Sequence, residues 1–366
     1  MDVFHLKQEL SQVTDPRRQW GNKRHLLVDI LAIGLCSTLS SGQDFEDMED
    51  FGNDRIEWLQ GFLALPNGIP DSDTFRRVFE RLNPVELKNR LINWVSCERV
   101  RRGQVCIDGK TIRGSGNQEH EAYHVVSAWA NEERLSLGEV ETIGKGNEIK
   151  AIMQLLSLVD IKGDVVSIDA IGCQTQIAQE IRKKEADYLL ALKKNQGNMY
   201  EDVEEYFENK QDLPHEGWQG PWEKDHGRIE RRHVATAPAD WLEGRENWQD
   251  IQTVICCTAT RIIGEKETIT KRYYISSLQA SPERFSQLIR GHWSIENHLH
   301  WALDVTFGED SSRVRKNNSP LNLNVLRKIA IPILHAHKVN KLSAKRKMLK
   351  AARNPDFLHR LLFEEK

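Results

Sequence analysis

Three carboxylates stand out by their type and setting. Asp108 interrupts an apolar run, VCIDG, and Asp169 ends another, VVSIDA. Aspartate is depleted in strands, and burying it is costly unless it is paired or metal-bound. Glu296 lies in IRGHWSIENHLHWALD, where helical spacing sets Ile289, Trp293, Leu299 and Leu303 around it and predicts that it faces inward. Acids far apart in sequence, at the ends of rigid elements, suit phosphoryl transfer on nucleic acid. There, two divalent ions about 4 Å apart serve the attacking and leaving oxygens, and hard Mg²⁺ takes oxygen ligands. Each acid also has an ordinary reading: either aspartate could cap a turn, and Glu296 could answer an arginine. His292, Glu296 and His300 recur every four residues and could hold zinc, but they do not form H-E-x-x-H and no fourth ligand is evident.

The elements that must carry these acids are readable from periodicity. Residues 1 to about 95 read as helices, and IPDSDTFRRVFERLNP starts one at Pro70, Asp71 and Ser72 and stops it at Pro84. From residue 104 the pattern becomes β-β-β-α-β-α-β, with Asp108 on the first strand and Asp169 ending the fourth. Between Gln196 and about Leu278 a tryptophan-rich, strand-like stretch reads as a β-rich insertion, about 197–278. PERFSQLIRGHWSIENHLHWALDVTF then reads as one long helix carrying Glu296.

The 366 residues, 39% apolar and 29% charged, can bury a core. The start lacks a signal-peptide pattern, and the apolar run near Leu26 to Leu39 falls short of the roughly 18 residues a membrane span needs. Cys36, Cys97, Cys106, Cys173, Cys256 and Cys257 form no C-x-x-C pair. A cytoplasmic, nucleoid-associated protein with free thiols is expected, and no membrane partner. The net charge is −3, yet no acid interrupts the basic residues between Arg313 and Arg353, which points to a polyanion; a solvated helical face is the ordinary alternative. Candidate DNA contacts are Lys345, Arg346 and Lys347 in that stretch, Arg76 and Arg77 on the helix after Asp71, Lys193 and Lys194 after the strand DYLLAL, and Arg228 and Arg232 in HGRIERR. The helix bearing Arg76, Arg77 and Arg81 could be a recognition helix or a plain surface helix. Arg228, Glu230 and Arg232 share one strand face, as a phosphate clamp or a charged edge.

Taken in order, DPRRQWGNKRHLLVDIL, EDFGNDRIEWL, NGIPDSDTFRRVF, VCIDGKTIRGS, GNEIKAI, SIDAIGCQ, LLALKKNQGN, HGRIERR, RYYISSL and HWSIENHLHWALDVTFGED resemble insertion-sequence DDE transposases of the ISAs type, which include the H-repeat-associated proteins. The resemblance spans nearly the whole chain. It implies an α/β fold, a ribonuclease-H-like mixed sheet with flanking helices and a β-rich insertion, preceded by an all-α N-terminal domain. It implies Asp108, Asp169 and Glu296 as catalytic triad and metal ligands, 61 and 127 residues apart, with Mg²⁺, or Mn²⁺ in its place, as two ions. The implied divisions are 1–95 for the helical domain, 96–312 for the catalytic core and 313–366 for a basic helical tail. The implied activity is cleavage at insertion-sequence ends and strand transfer into target DNA, by a homodimer or higher oligomer assembled on DNA. A non-catalytic DNA-binding descendant and a stand-alone metal-dependent nuclease are the alternatives. Many relatives carry Tyr, Arg and Lys around the last Glu, where this chain has Ile289, His292 and Leu303, so the phosphate-gripping role of that motif does not transfer.

Overall fold

The computed structural model describes residues 3–18, 23–99, 102–116, 121–143, 145–209, 215–225, 227–337 and 342–364. Six helices come first: α1 (Val3–Ser11), α2 (Leu27–Leu39), α3 (Phe45–Asp54), α4 (Ile56–Gln60), α5 (Ser72–Arg81) and α6 (Pro84–Glu98). The starts of α3, α5 and α6 follow side-chain capping: Asp44 accepts from Asp47 N, Asp71 from Thr74 N, and Asn83 from Val85 N ahead of Pro84. Asp29, the polar interruption in apolar α2, is buried and accepts from Leu65 N at 2.9 Å.

The mixed sheet follows as β1 (Gln104–Thr111), β2 (Tyr123–Ala130), β3 (Leu135–Ile143), α7 (Glu148–Leu158), β4 (Val165–Ile168), α8 (Thr175–Lys183) and β5 (Asp187–Leu192). β1, β2 and β3 pair antiparallel, while β4 and β5 run parallel to β1, giving the order β3-β2-β1-β4-β5. This is the ribonuclease-H-like arrangement. Then come α9 (Gly197–Asn209), β6 (Glu216–Gln219), β7 (Glu223–Asp225), β8 (Arg228–Pro238), β9 (Thr253–Ile263) and β10 (Lys266–Ser276). The β-rich insertion is not a separate layer. β10 pairs antiparallel with β5 through Tyr273–Ser276, and β9, β8 and β6 extend the same sheet beyond it.

The chain continues through α10 (Pro282–Ser294), two π-helical stretches at Ile295–His300 and Ala302–Thr306, and α11 (Ser319–Ala336), α12 (Ala344–Arg353) and α13 (Pro355–Phe363). Here the expectation of a basic tail needs correction. α11 is buried along its length. One apolar core runs from Leu31 and Phe79 through Ile107 and Val126 to Leu326, Ile329 and Leu358. Two of its bases lie inside: Arg327 meets Glu309 at 3.3 Å, and Lys328 pairs with Glu139 while donating to Ser127 Oγ at 2.9 Å. Asn322 Nδ2 fastens α11 to the helical region through Phe79 O and Leu82 O, at 2.8 and 3.0 Å. No described helix is long and apolar enough to cross a membrane.

Candidate active site

Ile107 of β1 lies beside Ile168 of β4 in parallel register, so Asp108 and Asp169 follow side by side where β4 ends and β1 runs on to Thr111, toward the edge where open α/β sheets bind ligands. Asp169 does cap a turn: Oδ1 accepts from Ile171 N at 3.1 Å. Asp108 and Glu296 line one opening of about 620 Å³, and Asp169 and Glu296 line the adjoining one of about 230 Å³. Glu296 thus stands at the border of the two.

Glu296 is not turned inward. It is exposed, as is Trp293 at the end of α10, and the helix passes into π-helical turns at Ile295–His300. A π turn adds a residue per turn and breaks the spacing that predicted burial. The zinc ladder dissolves for the same reason. Ser167 Oγ lies 3.0 Å from His292 Nδ1, and burial pushes that imidazole down to about 4. His300 Nδ1 stands 3.5 Å from Asp108 Oδ2. Burial, then Lys328 and Lys110, push His300 down to about 3, so the ring is neutral and the contact is no ion pair.

The electrostatics fit a hard cation. Burial first, then the charges of Asp169, Glu296 and Glu148, push Asp108 up from 3.8 to about 7. Asp169 is raised by burial and by Glu148, against the N–H groups of Ile171 and Gly172 and the charge of Lys193. Partial loss of water at exposed Glu296 raises it, while Arg272 pulls it down and Asp169 pushes it up. Among the described residues no lysine or arginine pairs with Asp108, and no three His, Cys, Asp or Glu side chains are drawn together closely enough to hold an ion unaided. The three oxygen donors are spread over two adjoining openings that share Glu296 rather than forming a closed cluster. They are the ligand type that Mg²⁺ or Mn²⁺ prefers, and repulsion between them is what a divalent charge relieves.

Two cationic residues, one at each opening, had no role in the sequence reading. Arg272 of β10 lies over the Trp293 ring, 5.4 Å from its centroid, beside Asp169 and Glu296. Lys110, two residues beyond Asp108 and so on the same strand face, is buried and bonds Asp304 Oδ1 and Glu309 Oε2 at 2.7 and 2.9 Å. Glu309 is fully buried; burial would raise it, but Arg327 and Lys110 hold it down. This network ties the segment carrying Glu296 to the strand carrying Asp108. The period-two spacing of Lys110 from Asp108 was the signal available.

The candidate DNA contacts divide. Lys193 and Lys194 are exposed, and Lys193 lines the opening with Asp169. Lys345 and Arg346 are exposed on α12, whereas Lys347 is buried and donates to Leu334 O and His337 O at 2.6 and 2.7 Å. Lys347 is therefore withdrawn as a DNA contact: its charge caps the carbonyl end of α11. Arg76 meets Glu46 at 2.9 Å and Asp73, and Arg77 is exposed beside Asp73 at 3.6 Å. Arg232 is spent on Glu230 and Glu223, and half-exposed Arg228 stands 3.7 Å from Glu230. His226 of HGRIERR, Lys338 and Lys341 lie outside the described residues.

Residues 101–331 match the family model "Transposase DDE domain", and residues 7–95 match "DDE_Tnp_1-associated". The chain belongs to the DDE transposase family. YncI of Escherichia coli O157:H7 is 37% identical over 374 residues, covering 99% of this chain and 95% of its own. The H repeat-associated protein YhhI of Escherichia coli (strain K12) is 37% identical over 373 residues, covering 99% and 98%. YbfQ of the same strain, named an inactive transposase, is 36% identical over 78 residues, 21% of this family member. The cryo-EM structure of the piggyBac transposase synaptic complex with hairpin DNA superposes on 99% of this chain and 82% of its own, at a TM-score of 0.49 and 11% identity.

Proposed function

We propose that this transposase-family chain cuts DNA at the ends of its insertion sequence and joins them to target DNA. Asp108, Asp169 and Glu296 are its catalytic, cation-holding residues. The observation that carries the reading is Asp108 and Asp169 side by side on adjacent parallel strands, with Glu296 shared by the two adjoining openings that they line. Two Mg²⁺ or Mn²⁺ ions held there supply Lewis acidity toward the attacking and leaving oxygens. Lys193 and Arg272 line the opening with Asp169 and Glu296 and meet the negative phosphate. Water hydrolyses the phosphodiester at the element end and leaves a 3′-hydroxyl. That hydroxyl then attacks a target phosphodiester, forming one P–O bond as another breaks.

Exposed Lys194, Lys345 and Arg346 hold phosphates, while residues 1–95, through Arg77 and Arg76, contribute recognition of the ends. The working unit is a homodimer or higher oligomer on DNA. The test is a cleavage and strand-transfer assay with the element's own ends and Mg²⁺ or Mn²⁺. Cutting with joining supports the reading. Cutting alone identifies a nuclease, and binding without cutting identifies a non-catalytic descendant.

A further inference from the structure

Asp108 is followed by a glycine for a steric reason. A Cβ at Gly109 would collide with Glu148 Oε1 and His124 Nε2. Side chains alternate along β1. Gln104 and Cys106 reach Leu288 O and Gly291 O of α10, so Asp108 and Lys110 share the α10 face. Gly109 belongs to the opposite face, where Glu148, the first residue of α7, presses on the strand. The bare backbone at Gly109 lets a carboxylate from the second helix layer approach the end of β1.

Glu148 has an unusual setting for a buried acid. It is only 6% exposed, and among the described residues no lysine or arginine pairs with it. Its neighbour is His124, 2% exposed, whose Nε2 stands 3.4 Å from Glu148 Oε2 and has no hydrogen bond among the described residues. His124 Nδ1 is 3.1 Å from Thr111 Oγ1. With the Thr111 hydroxyl donating to Nδ1, a neutral ring carries its proton on Nε2, toward Glu148. Thr111 and His124 are cross-strand partners on β1 and β2, so a rigid pair backs one side of the carboxylate. Burial and then Glu148's charge raise Asp169, and Asp108 feels the same charge behind burial, Asp169 and Glu296.

We propose that Glu148 is a fourth carboxylate of the divalent-cation site, reaching Asp108 and Asp169 from the α7 layer as Glu296 does from the α10 layer. This rests on the cation-holding role proposed above for Asp108, Asp169 and Glu296. His124 is a positioning residue that orients Glu148, and Gly109 is the gap through which it reaches.

The test is a Mn²⁺ titration of the purified full chain without DNA, read as the rise in thermal unfolding temperature. The wild type should respond, Asp108→Asn should not, and Glu148→Gln should need about ten-fold or more Mn²⁺ for the same rise. Without metal, Glu148→Gln should melt at or above the wild-type temperature, since it removes a repelling charge; a purely structural glutamate would lower it. A wild-type response to Mn²⁺ in Glu148→Gln, with Asp108→Asn silent, overturns this inference and leaves the three-carboxylate reading standing. No response in the wild type overturns both. Should Glu148→Gln not fold, Glu148→Asp, which keeps the charge but withdraws it by a methylene, is read in the same titration. A weakened response supports the proposal and an unchanged one overturns it.

Discussion

Replacing Lys328 with methionine should destabilise the protein by about 3–5 kcal/mol, the usual cost of removing one partner from a buried ion pair. Lys328 lies on α11, and its side chain and that of Glu139 are 1% and 3% exposed. Ser127 and Glu139 are cross-strand partners on β2 and β3, so one ammonium fastens α11 to two strands. The other Glu139 oxygen, Oε1, has no hydrogen-bond partner among the described residues. Methionine would therefore leave a carboxylate buried with no charge opposite it, and would remove a Ser127 bond worth about 1 kcal/mol. Adding Glu139→Leu should recover most of the loss, because an apolar pair of similar volume is often neutral or stabilising relative to a buried ion pair. The coupling between the two sites should then be at least about 3 kcal/mol, far above the roughly 0.3–0.5 kcal/mol within which independent sites add. Urea unfolding of the wild type, both single variants and the double variant measures it. Exposed Lys345→Met serves as the control and should stay within about 0.5 kcal/mol of wild type. A Lys328→Met loss below about 1 kcal/mol, or strict additivity, would refute α11 as a core element.

Four further outcomes follow from the same structure. His292 and His300 are held neutral by burial, down to about 4 and about 3, so below pH 6.5 the unfolded chain takes up protons that the folded chain refuses. Urea melts should show stability falling from pH 6.5 toward 4, approaching about 1.4 kcal/mol per pH unit for each histidine, with a shallower slope in His300→Asn. In a chelating buffer Asp108→Asn should be more stable than wild type by up to about 4 kcal/mol. Asp108 is raised to about 7, so this gap should be near zero at pH 4, grow as pH rises and level off above pH 7; a pH-independent gap would count against the cause. Neutralising Lys345 and Arg346 together should lower the slope of log K against log salt by about 1.8 on specific and random DNA alike, at about 0.9 per phosphate contact. Lys347→Met should instead lower the unfolding midpoint, because Lys347 caps the end of α11.

The parts legible in the sequence were local. A carboxylate inside an apolar strand is conspicuous, and Asp108 within β1 and Asp169 just after β4 do lie on adjacent strands. The Asp71 start and the Pro84 boundary follow from capping and the missing proline N–H. What stayed hidden depends on contacts between distant segments. Basic residues between Arg313 and Arg353 read as one run facing a polyanion because their partners, Glu309 for Arg327 and Glu139 for Lys328, lie elsewhere in the chain. The place of the insertion was not legible, because nothing in its alternation says that Tyr273–Ser276 will pair with β5. The exposure of Glu296 was missed because a 3.6-residue period does not anticipate the π turns at Ile295–His300. Glu148 was visible as a letter in GNEIKAI, but only the fold brings it against Gly109.

The central claim is that Asp108, Asp169 and Glu296 together make one phosphoryl-transfer site. The most direct measurement incubates a labelled duplex carrying the element's end with purified protein and Mg²⁺ or Mn²⁺, and follows both the freed 3′-hydroxyl and its joining to a target. Wild type, Asp108→Ala, Asp169→Ala and Glu296→Ala are compared at matched folding and end binding. The account predicts cutting and joining by the wild type, and loss of both in each variant while end binding is retained. Undiminished cutting by any one variant, or loss of end binding in step with cutting in a well-folded variant, would contradict it.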